Sequence, residues 1–277
     1  MKIGYLGPPG TFTEEALLRT YTFPQDEAVP YASIPDVIEA VDRGEVERGI
    51  VAIENSIEGS VNVTLDVLAF DSEAKVIGEV IYPIRHNLLA RSGLALVDID
   101  TVISQPHATA QCRKYLAAHL SGAKIIAANS TAEAAQIVCT HPGNVAAIGT
   151  RIAAEIYGLE ILAENIEDFQ DNQTRFAILG KEVPPRTGFD KTSIICFIYQ
   201  DRPGMLLQIL QEFAYRYINL TKVESRPAKR SLGEYIFFID MEGHIQDKVV
   251  DEAIKCVVCK IDRVKFLGSY PRFKVAK

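Results

Sequence analysis

Cysteine is scarce in this 277-residue chain, and its five copies, Cys112, Cys139, Cys196, Cys256 and Cys259, are odd in number and scattered. That distribution argues against a disulfide framework and for reduced thiols in a cytosolic protein. Positive charge is also short: 29 lysines and arginines against 36 aspartates and glutamates leave a formal charge of −7. The chain therefore lacks the overall positive field that drives nucleic-acid binding. No apolar run approaches the roughly 18–20 residues of a membrane span. The N-terminus meets Pro8, Pro9 and Gly10 before a signal-peptide-like stretch can build. Neither nucleic acid nor a membrane is an expected partner. Low-complexity segments and solenoid repeats are missing too.

What is present is globular, with 48% hydrophobic and 23% charged residues, at a length that suits two domains. The first two-thirds alternates short apolar runs with amphipathic patterns. Strands are expected at Ile3–Leu6, Gly49–Ile53, Val76–Tyr82, Asn87–Ala90, Thr101–Ser104, Lys124–Ala127, Val145–Ile148 and Phe176–Leu179. Helices are expected from Phe12, and over Pro35–Val41, Ala108–Ala118, Thr131–Cys139 and Arg151–Tyr157, the last stopped by Gly158. This alternation predicts an α/β domain with mostly parallel sheet. After Glu182, Val183-Pro184-Pro185-Arg186-Thr187-Gly188 has no periodicity and reads as a stiff linker. The remainder reads β-α-β-β-α-β, a ferredoxin-like order with no evident catalytic cluster, and so a binding or regulatory module.

Hydroxyl residues recur where strands give way to helices. Thr11-Phe12-Thr13-Glu14 and Ser130-Thr131-Ala132-Glu133 have capping-box spacing, and Glu54-Asn55-Ser56 directly follows a strand. Strand C-terminal ends line the ligand crevice of open α/β sheets, and free N–H groups at helix starts favour anions. Each hydroxyl can equally serve only its own helix, because capping alone selects Ser and Thr. In Asp171-Asn172-Gln173-Thr174-Arg175-Phe176 a hydroxyl and a cation stand side by side, a pair able to hold a carboxylate and donate to a leaving oxygen, or a simple turn into a strand. Gly7-Pro8-Pro9-Gly10-Thr11 lacks the Gly-Lys-Ser/Thr of a phosphate loop. Cys256 and Cys259 have a metal-like spacing but no second pair, and read as core cysteines. The five histidines form no metal-binding pattern, so neither a metal nor a nucleotide is called for.

Gly7-Pro8-Pro9-Gly10-Thr11-Phe12, Glu54-Asn55-Ser56-Ile57-Glu58-Gly59 and Asn172-Gln173-Thr174-Arg175-Phe176 together resemble the signature segments of prephenate dehydratases. The second domain resembles an ACT amino-acid-sensing domain through Pro203-Gly204-Met205-Leu206 and Glu224-Ser225-Arg226-Pro227, and Leu267-Gly268-Ser269-Tyr270-Pro271 closes the chain as in that family. No chorismate-mutase region precedes residue 1, so the resemblance is to the monofunctional form. It implies a cofactor-free lyase, with no metal, that converts prephenate to phenylpyruvate. The implied fold is a two-lobed, periplasmic-binding-protein-like catalytic domain over 1–182, with lobe one at about 1–79 and 161–182 and lobe two at about 80–160. A linker over 183–190 and an α+β ferredoxin-like ACT domain over 191–277 follow. By the same resemblance Thr174 donates to the departing hydroxyl. Arg175 pairs with a substrate carboxylate or orients the strand start that presents Thr174. Thr11, Asn55, Ser56, Ser104, Gln111, Ser130, Thr131 and Phe176 line the cleft.

The ACT resemblance implies feedback by L-phenylalanine bound between paired modules of a homodimer or homotetramer. Pro203, Gly204, Met205 and Leu206, in a loop that begins at Asp201, would hold it together with Asn219 and Leu220. Glu224, Ser225, Arg226 and Pro227 would link that site to the cleft. Three positions depart from the family pattern: Gln105 and His107 are exchanged relative to the usual order, Thr13 replaces a serine, and Met205 replaces a small residue. Arogenate dehydratase, which performs the same elimination on the amino-acid analogue, shares these motifs. A non-catalytic sensor would not need the Thr174-Arg175-Phe176 triplet and would carry a DNA-binding helix pair, which is not found.

Overall fold

The computed structural model describes residues 1–21, 25–199, 202–231 and 233–274. The chain begins with β1 (Lys2–Leu6), α1 (Phe12–Thr20), β2 (Glu27–Tyr31), α2 (Ile34–Arg43), β3 (Arg48–Asn55), β4 (Gly59–Ser60), α3 (Asn62–Phe70) and β5 (Lys75–Pro83). It crosses to a second lobe with β6 (Asn87–Ala90), β7 (Thr101–Ser104), α4 (Pro106–Gln111), α5 (Arg113–His119), β8 (Lys124–Ala127), α6 (Thr131–Thr140), β9 (Val145–Gly149), α7 (Arg151–Tyr157) and β10 (Glu160–Ala163). It returns through β11 (Gln173–Gly180) and ends with β12 (Asp190–Ile198), α8 (Met205–Ala214), β13 (Leu220–Pro227), β14 (Tyr235–Glu242), α9 (Lys248–Val258) and β15 (Arg263–Pro271).

The first sheet has the order β2-β1-β3-β11-β5 with β4 on β3, and the second β10-β6-β9-β7-β8. Both are mixed, which corrects the expectation of mostly parallel sheets. The returning strand β11 runs antiparallel to β3 and β5, and β6 runs antiparallel to β9 and β10. Two segments, 84–86 and 164–172, join the lobes and pair with each other: Ile166 N donates to His86 O at 2.8 Å and Ile84 N to Asn172 O at 2.9 Å. Two α/β lobes on a double crossing are the arrangement of periplasmic binding proteins. No helix among the described residues is long and apolar enough to cross a membrane.

Local sequence explains most boundaries. Ser33 caps α2 by accepting from Asp36 N, and Gly44 ends it at φ 75°. Gly158 ends α7 in the same left-handed conformation. The single helix expected over Ala108–Ala118 is instead two. Asp168 N donates to Gln111 O at 2.6 Å, and the Asp168 carboxylate accepts from Lys114 N at 3.0 Å. The returning crossing thus takes backbone groups that a continuous helix would pair internally. β2 escaped notice because it is an edge strand containing Pro30, where a missing N–H is tolerated. α3 escaped because it has no side-chain cap.

The ACT sheet, in the order β13-β14-β12-β15, is covered on one face by α8 and α9. Its other face shares a core with lobe one, where Ile195, Phe197, Phe238 and Tyr270 meet Val37, Leu65, Val76 and Leu179. Gly268 is obligatory in this docking, since a Cβ there would overlap the Val76 carbonyl of β5. Cys256 and Cys259 are not core residues, a further correction: they close α9 beside solvent, with Cys259 exposed and Cys256 accepting from Arg216.

Candidate active site

A cavity of about 510 Å³ lies between the lobes, within the roughly 300–1,000 Å³ range of small-molecule sites. Its polar lining comes from both sides: Thr13, Asn55, Glu58, Ser60, Asn62 and Thr174 from lobe one, and His86, Gln105, His107, Gln111 and Thr131 from the crossing and lobe two. Phe12, Ile84 and Phe176 supply an apolar floor. Helices α1, α3 and α6 direct their first turns at this space through Phe12 and Thr13, Asn62, and Thr131. Free N–H groups there, with the helix dipoles behind them, make the cleft attractive to anions.

The register of β11 on β3 sets the chemistry. Thr174 lies opposite Asn55 and Arg175 opposite Glu54, and one extra residue, Ile53, is accommodated before Phe176 meets Ala52. Strand alternation therefore sends Asn55, Thr174 and Phe176 into the cleft and Glu54 and Arg175 to the opposite face. Asn55 Nδ2 donates to Thr174 Oγ1 at 2.9 Å and to Asn172 Oδ1 at 2.8 Å. Asn55 Oδ1 is held by the N–H groups of Ile57 and Glu58. With its oxygen accepting from Asn55, the buried Thr174 hydroxyl still has its own proton to donate, and it lines the cavity. Asn172 Nδ2 continues to Gln111 Oε1 at 2.9 Å, and Gln111 Nε2 reaches back across the cleft to Glu58 at 3.1 Å.

Several expected cleft residues stand elsewhere. Arg175 does not face the cavity. Its guanidinium donates to Glu79 at 2.8 Å, Asp240 at 2.6 Å and the Tyr270 hydroxyl at 2.8 Å, spanning the junction with the ACT domain. The expected pairing with a substrate carboxylate is corrected accordingly, whereas orientation of the strand start agrees with this geometry. Burial alone would raise the pKa of Asp240, but Arg175 and the Ser193 hydroxyl more than offset it and hold it below the ordinary carboxylate range. Ser104 is fully buried and donates to Ile148 O at 3.0 Å inside lobe two. Thr11 donates to Leu6 O and caps α1, and Ser130 caps α6. Ser56 accepts from Gln173 N at 3.0 Å and so braces the turn that presents Thr174. These four serve the scaffold, as capping chemistry allows. Asn55, Gln111, Thr131, Thr174 and Phe176 do meet in the cavity. His86, a single residue without a spacing signal, carries no mark in the sequence, and Glu58 stands within the Glu54–Gly59 segment but has no role assigned to it there.

On the ACT side, Gly204 takes φ 87° to open α8, and Pro203, Met205 and Leu206 flank it. Leu220 begins β13, and Asn219 stands just before it with its carbonyl accepting from Glu242 N at 2.9 Å. Asp201, where the expected loop starts, lies outside the described residues. Glu224 is bonded to Ser60 and pairs with Lys222, which in turn reaches Glu54 at 3.1 Å. Arg226 binds Asn62 and, at 2.9 Å, Asp66. Ser225 and Pro227, alternate residues on the same strand, are exposed.

A two-lobed cleft with an amide-backed hydroxyl facing converging helix starts, docked against a separate ferredoxin-like sheet, defines a small-anion enzyme with an appended module. A family model of prephenate dehydratase matches residues 3–184, and one of the ACT domain matches residues 192–255. The prephenate dehydratase of Methanocaldococcus jannaschii is 42% identical over 97% of this chain and 97% of its own length. That of Amycolatopsis methanolica is 41% identical over 98% and 88%. A solved prephenate dehydratase from Arthrobacter aurescens, in complex with L-Phe, superposes with a TM-score of 0.92 at 38% identity, covering 98% of this chain and 90% of that one. The chain belongs to the prephenate dehydratase family, lyases that form phenylpyruvate from prephenate with loss of water and carbon dioxide, and it carries an ACT domain.

Proposed function

We propose that the interlobe cavity binds the prephenate dianion and that Thr174 donates to its departing ring hydroxyl. The observation that carries this reading is the Asn55–Thr174 bond of 2.9 Å, which leaves uncommitted the proton of a hydroxyl that lines the cavity. The reaction breaks the ring C–O bond and the bond to the ring carboxylate. The electron pair of the latter fills the ring as carbon dioxide leaves, and one proton joins the hydroxide to give water. Aromatisation drives the step, so the protein must hold the dianion, assist the leaving oxygen and exclude water. An alcohol is too weak an acid to surrender its proton fully, so Thr174 acts as a hydrogen-bond donor to developing negative charge, with the consumed proton coming ultimately from solvent. No lysine or arginine stands among the described residues of the lining. The carboxylates fall to the first turns of α1, α3 and α6 and to the Gln111 and Thr131 side chains, and the ring packs on Phe176.

L-phenylalanine, the ligand of the Arthrobacter aurescens relative, is the proposed effector, held by Pro203–Leu206 with Asn219 and Leu220 between paired ACT modules of a homodimer or homotetramer in the cytoplasm. The open edge of β13 suits such pairing, and Glu224 and Arg226 touch Ser60 and Asn62, which line the cleft.

The test is phenylpyruvate formation from prephenate by wild type and Thr174→Ala, with and without phenylalanine. Loss of one preorganised donor of this kind costs on the order of 10²–10³ in kcat, with KM nearly unchanged. Wild-type turnover by Thr174→Ala would remove the assignment, and faster turnover of arogenate than of prephenate would replace the substrate.

A further inference from the structure

His86 has no part in the chemistry above, yet it is almost fully buried at the point where the chain first crosses between lobes, and it lines the cavity. Its ring meets Phe12 edge-on, with centroids 5.2 Å apart. Nε2 lies 3.0 Å from Gln111 Oε1, and Nδ1 is buried with no hydrogen-bond partner among the described residues. A buried imidazole with one nitrogen engaged and one idle calls for an explanation.

The main chain dictates which nitrogen carries the proton. The N–H groups of Ile57 and Glu58 donate to Asn55 Oδ1 at 2.9 and 3.0 Å, so the Asn55 amide nitrogen must be the end facing Asn172 and Thr174. Asn172 Oδ1 is thereby an acceptor, and its nitrogen is the end that donates to Gln111 Oε1. That oxygen can only accept, so the histidine nitrogen opposite it must bear hydrogen. Burial holds the ring pKa below its ordinary value, with the Gln111 bond and the Glu167 charge opposing only in part, so the ring is neutral and Nδ1 is a bare lone pair.

We propose that His86, as the neutral Nε2–H tautomer, is a positioning residue for the dehydration: it fixes the Gln111 carboxamide and, through Asn172 and Asn55, keeps the Thr174 proton aimed at the departing hydroxyl. Without that N–H, Gln111 loses one of the two donors to its oxygen, and its carboxamide is held by Asn172 and Glu58 alone. Asn172 is then less firmly held, and Asn55 redistributes its two hydrogens among Asn172 Oδ1, the Gln173 carbonyl and Thr174 Oγ1. This inference rests on the reading of Thr174 as the donor.

The experiment measures kcat and KM for prephenate in His86→Leu and His86→Gln, each alone and combined with Thr174→Ala. His86→Leu is expected to lower kcat about 10- to 100-fold, the scale of a misplaced reacting group, with KM little changed. His86→Gln carries an N–H able to stand in for Nε2–H, and restores kcat to within roughly fivefold of wild type. In the Thr174→Ala background His86→Leu costs little, because both changes disable one unit. Near-wild-type kcat in His86→Leu, or an equal loss in both backgrounds, overturns the proposal. An active Thr174→Ala enzyme instead overturns the donor assignment on which it rests. Should the leucine variant fail to fold, ¹⁵N NMR of the wild-type histidine rings at neutral pH decides: a neutral Nε2–H ring at His86 is expected, and an Nδ1–H tautomer or an imidazolium there refutes it.

Discussion

Replacing Arg175 by methionine separates the two roles that its place beside Thr174 suggests. Four largely buried charged side chains meet at the junction of lobe one and the ACT domain, Arg175 and Lys191 against Glu79 and Asp240, with Glu54 and its partner Lys222 beside them. Lys191 holds Glu79 at 2.7 Å, whereas the direct side-chain partners of Asp240 are Arg175 and the Ser193 hydroxyl, with Lys191 acting on it only through its charge. Arg175→Met therefore leaves two buried carboxylates to share the single charge of Lys191, and Asp240 without its directly bonded cation. Breaking a buried pair in this way costs about 3–5 kcal/mol. If the catalytic and ACT domains unfold together, that lowers Tm by on the order of 10 °C. Adding Asp240→Asn restores the balance and keeps an acceptor for Ser193, so the double variant is expected to recover at least half of the loss. The assay is thermal and urea unfolding beside prephenate kinetics. A guanidinium bound to a substrate carboxylate would give the opposite pattern: a KM raised by an order of magnitude or more, unchanged Tm, and no rescue by Asp240→Asn. That pattern would refute the placement of Arg175.

Acid is expected to destabilise the protein in two stages, read as the urea midpoint against pH. His86 has its folded pKa below the ordinary 6.5, so the unfolded chain binds a proton first. Stability is full above that pH and declines as pH falls from there to the folded pKa, a stage that His86→Gln abolishes. Glu79, whose burial is outweighed by Arg175 and Lys191, and Asp240 are both held below their usual 4.5 and 3.8. Their contribution is present above those values and is lost as pH falls through the folded pKa values. His107 spans the cleft to Glu58 at 3.4 Å with both side chains largely in solvent. Such a pair contributes about 0–1 kcal/mol, so His107→Gln should change kcat/KM for prephenate by no more than about fivefold.

Elements with strong periodicity and a defined stop were legible in the sequence. Asn87–Ala90, Thr101–Ser104 and Arg151–Tyr157 lie where the pattern put them, because continuous apolar runs and the Gly158 cap are local signals. The break at Cys112 was not legible, since it is imposed by Asp168, more than fifty residues away. In the site, Asn55, Thr174 and Phe176 were found because they belong to contiguous motifs. Thr11, Ser104 and Ser130 were misread as cleft residues because capping a helix, bridging two strands and binding an anion all select the same hydroxyls. Arg175 was misplaced for a different reason: neighbours in a motif are neighbours in sequence, and on a strand that puts them on opposite faces. His86 carries no motif at all, and its relevance follows only from the direction of the donors around it.

That opposition of faces has a mechanical consequence. On the paired strands β3 and β11, Asn55 and Thr174 face the cavity, while Glu54 and Arg175, each one peptide bond away, face the ACT domain. Glu54 is held by Lys222 of β13 and Arg175 by Asp240 of β14, so both edges of this two-residue platform are anchored in the small domain. A shift of β13 or β14 cannot move those anchors without tilting the backbone that carries the Asn55–Thr174 bond. At 2.9 Å that bond has little tolerance, since hydrogen bonds weaken steeply as the angle at hydrogen closes. A rotation of the ACT sheet large enough to pull on both anchors would strain the Asn55–Thr174 bond. If the small domain regulates turnover by such a rotation, the expected signature is a fall in kcat at nearly constant KM, and an effector that raises KM alone would refute it.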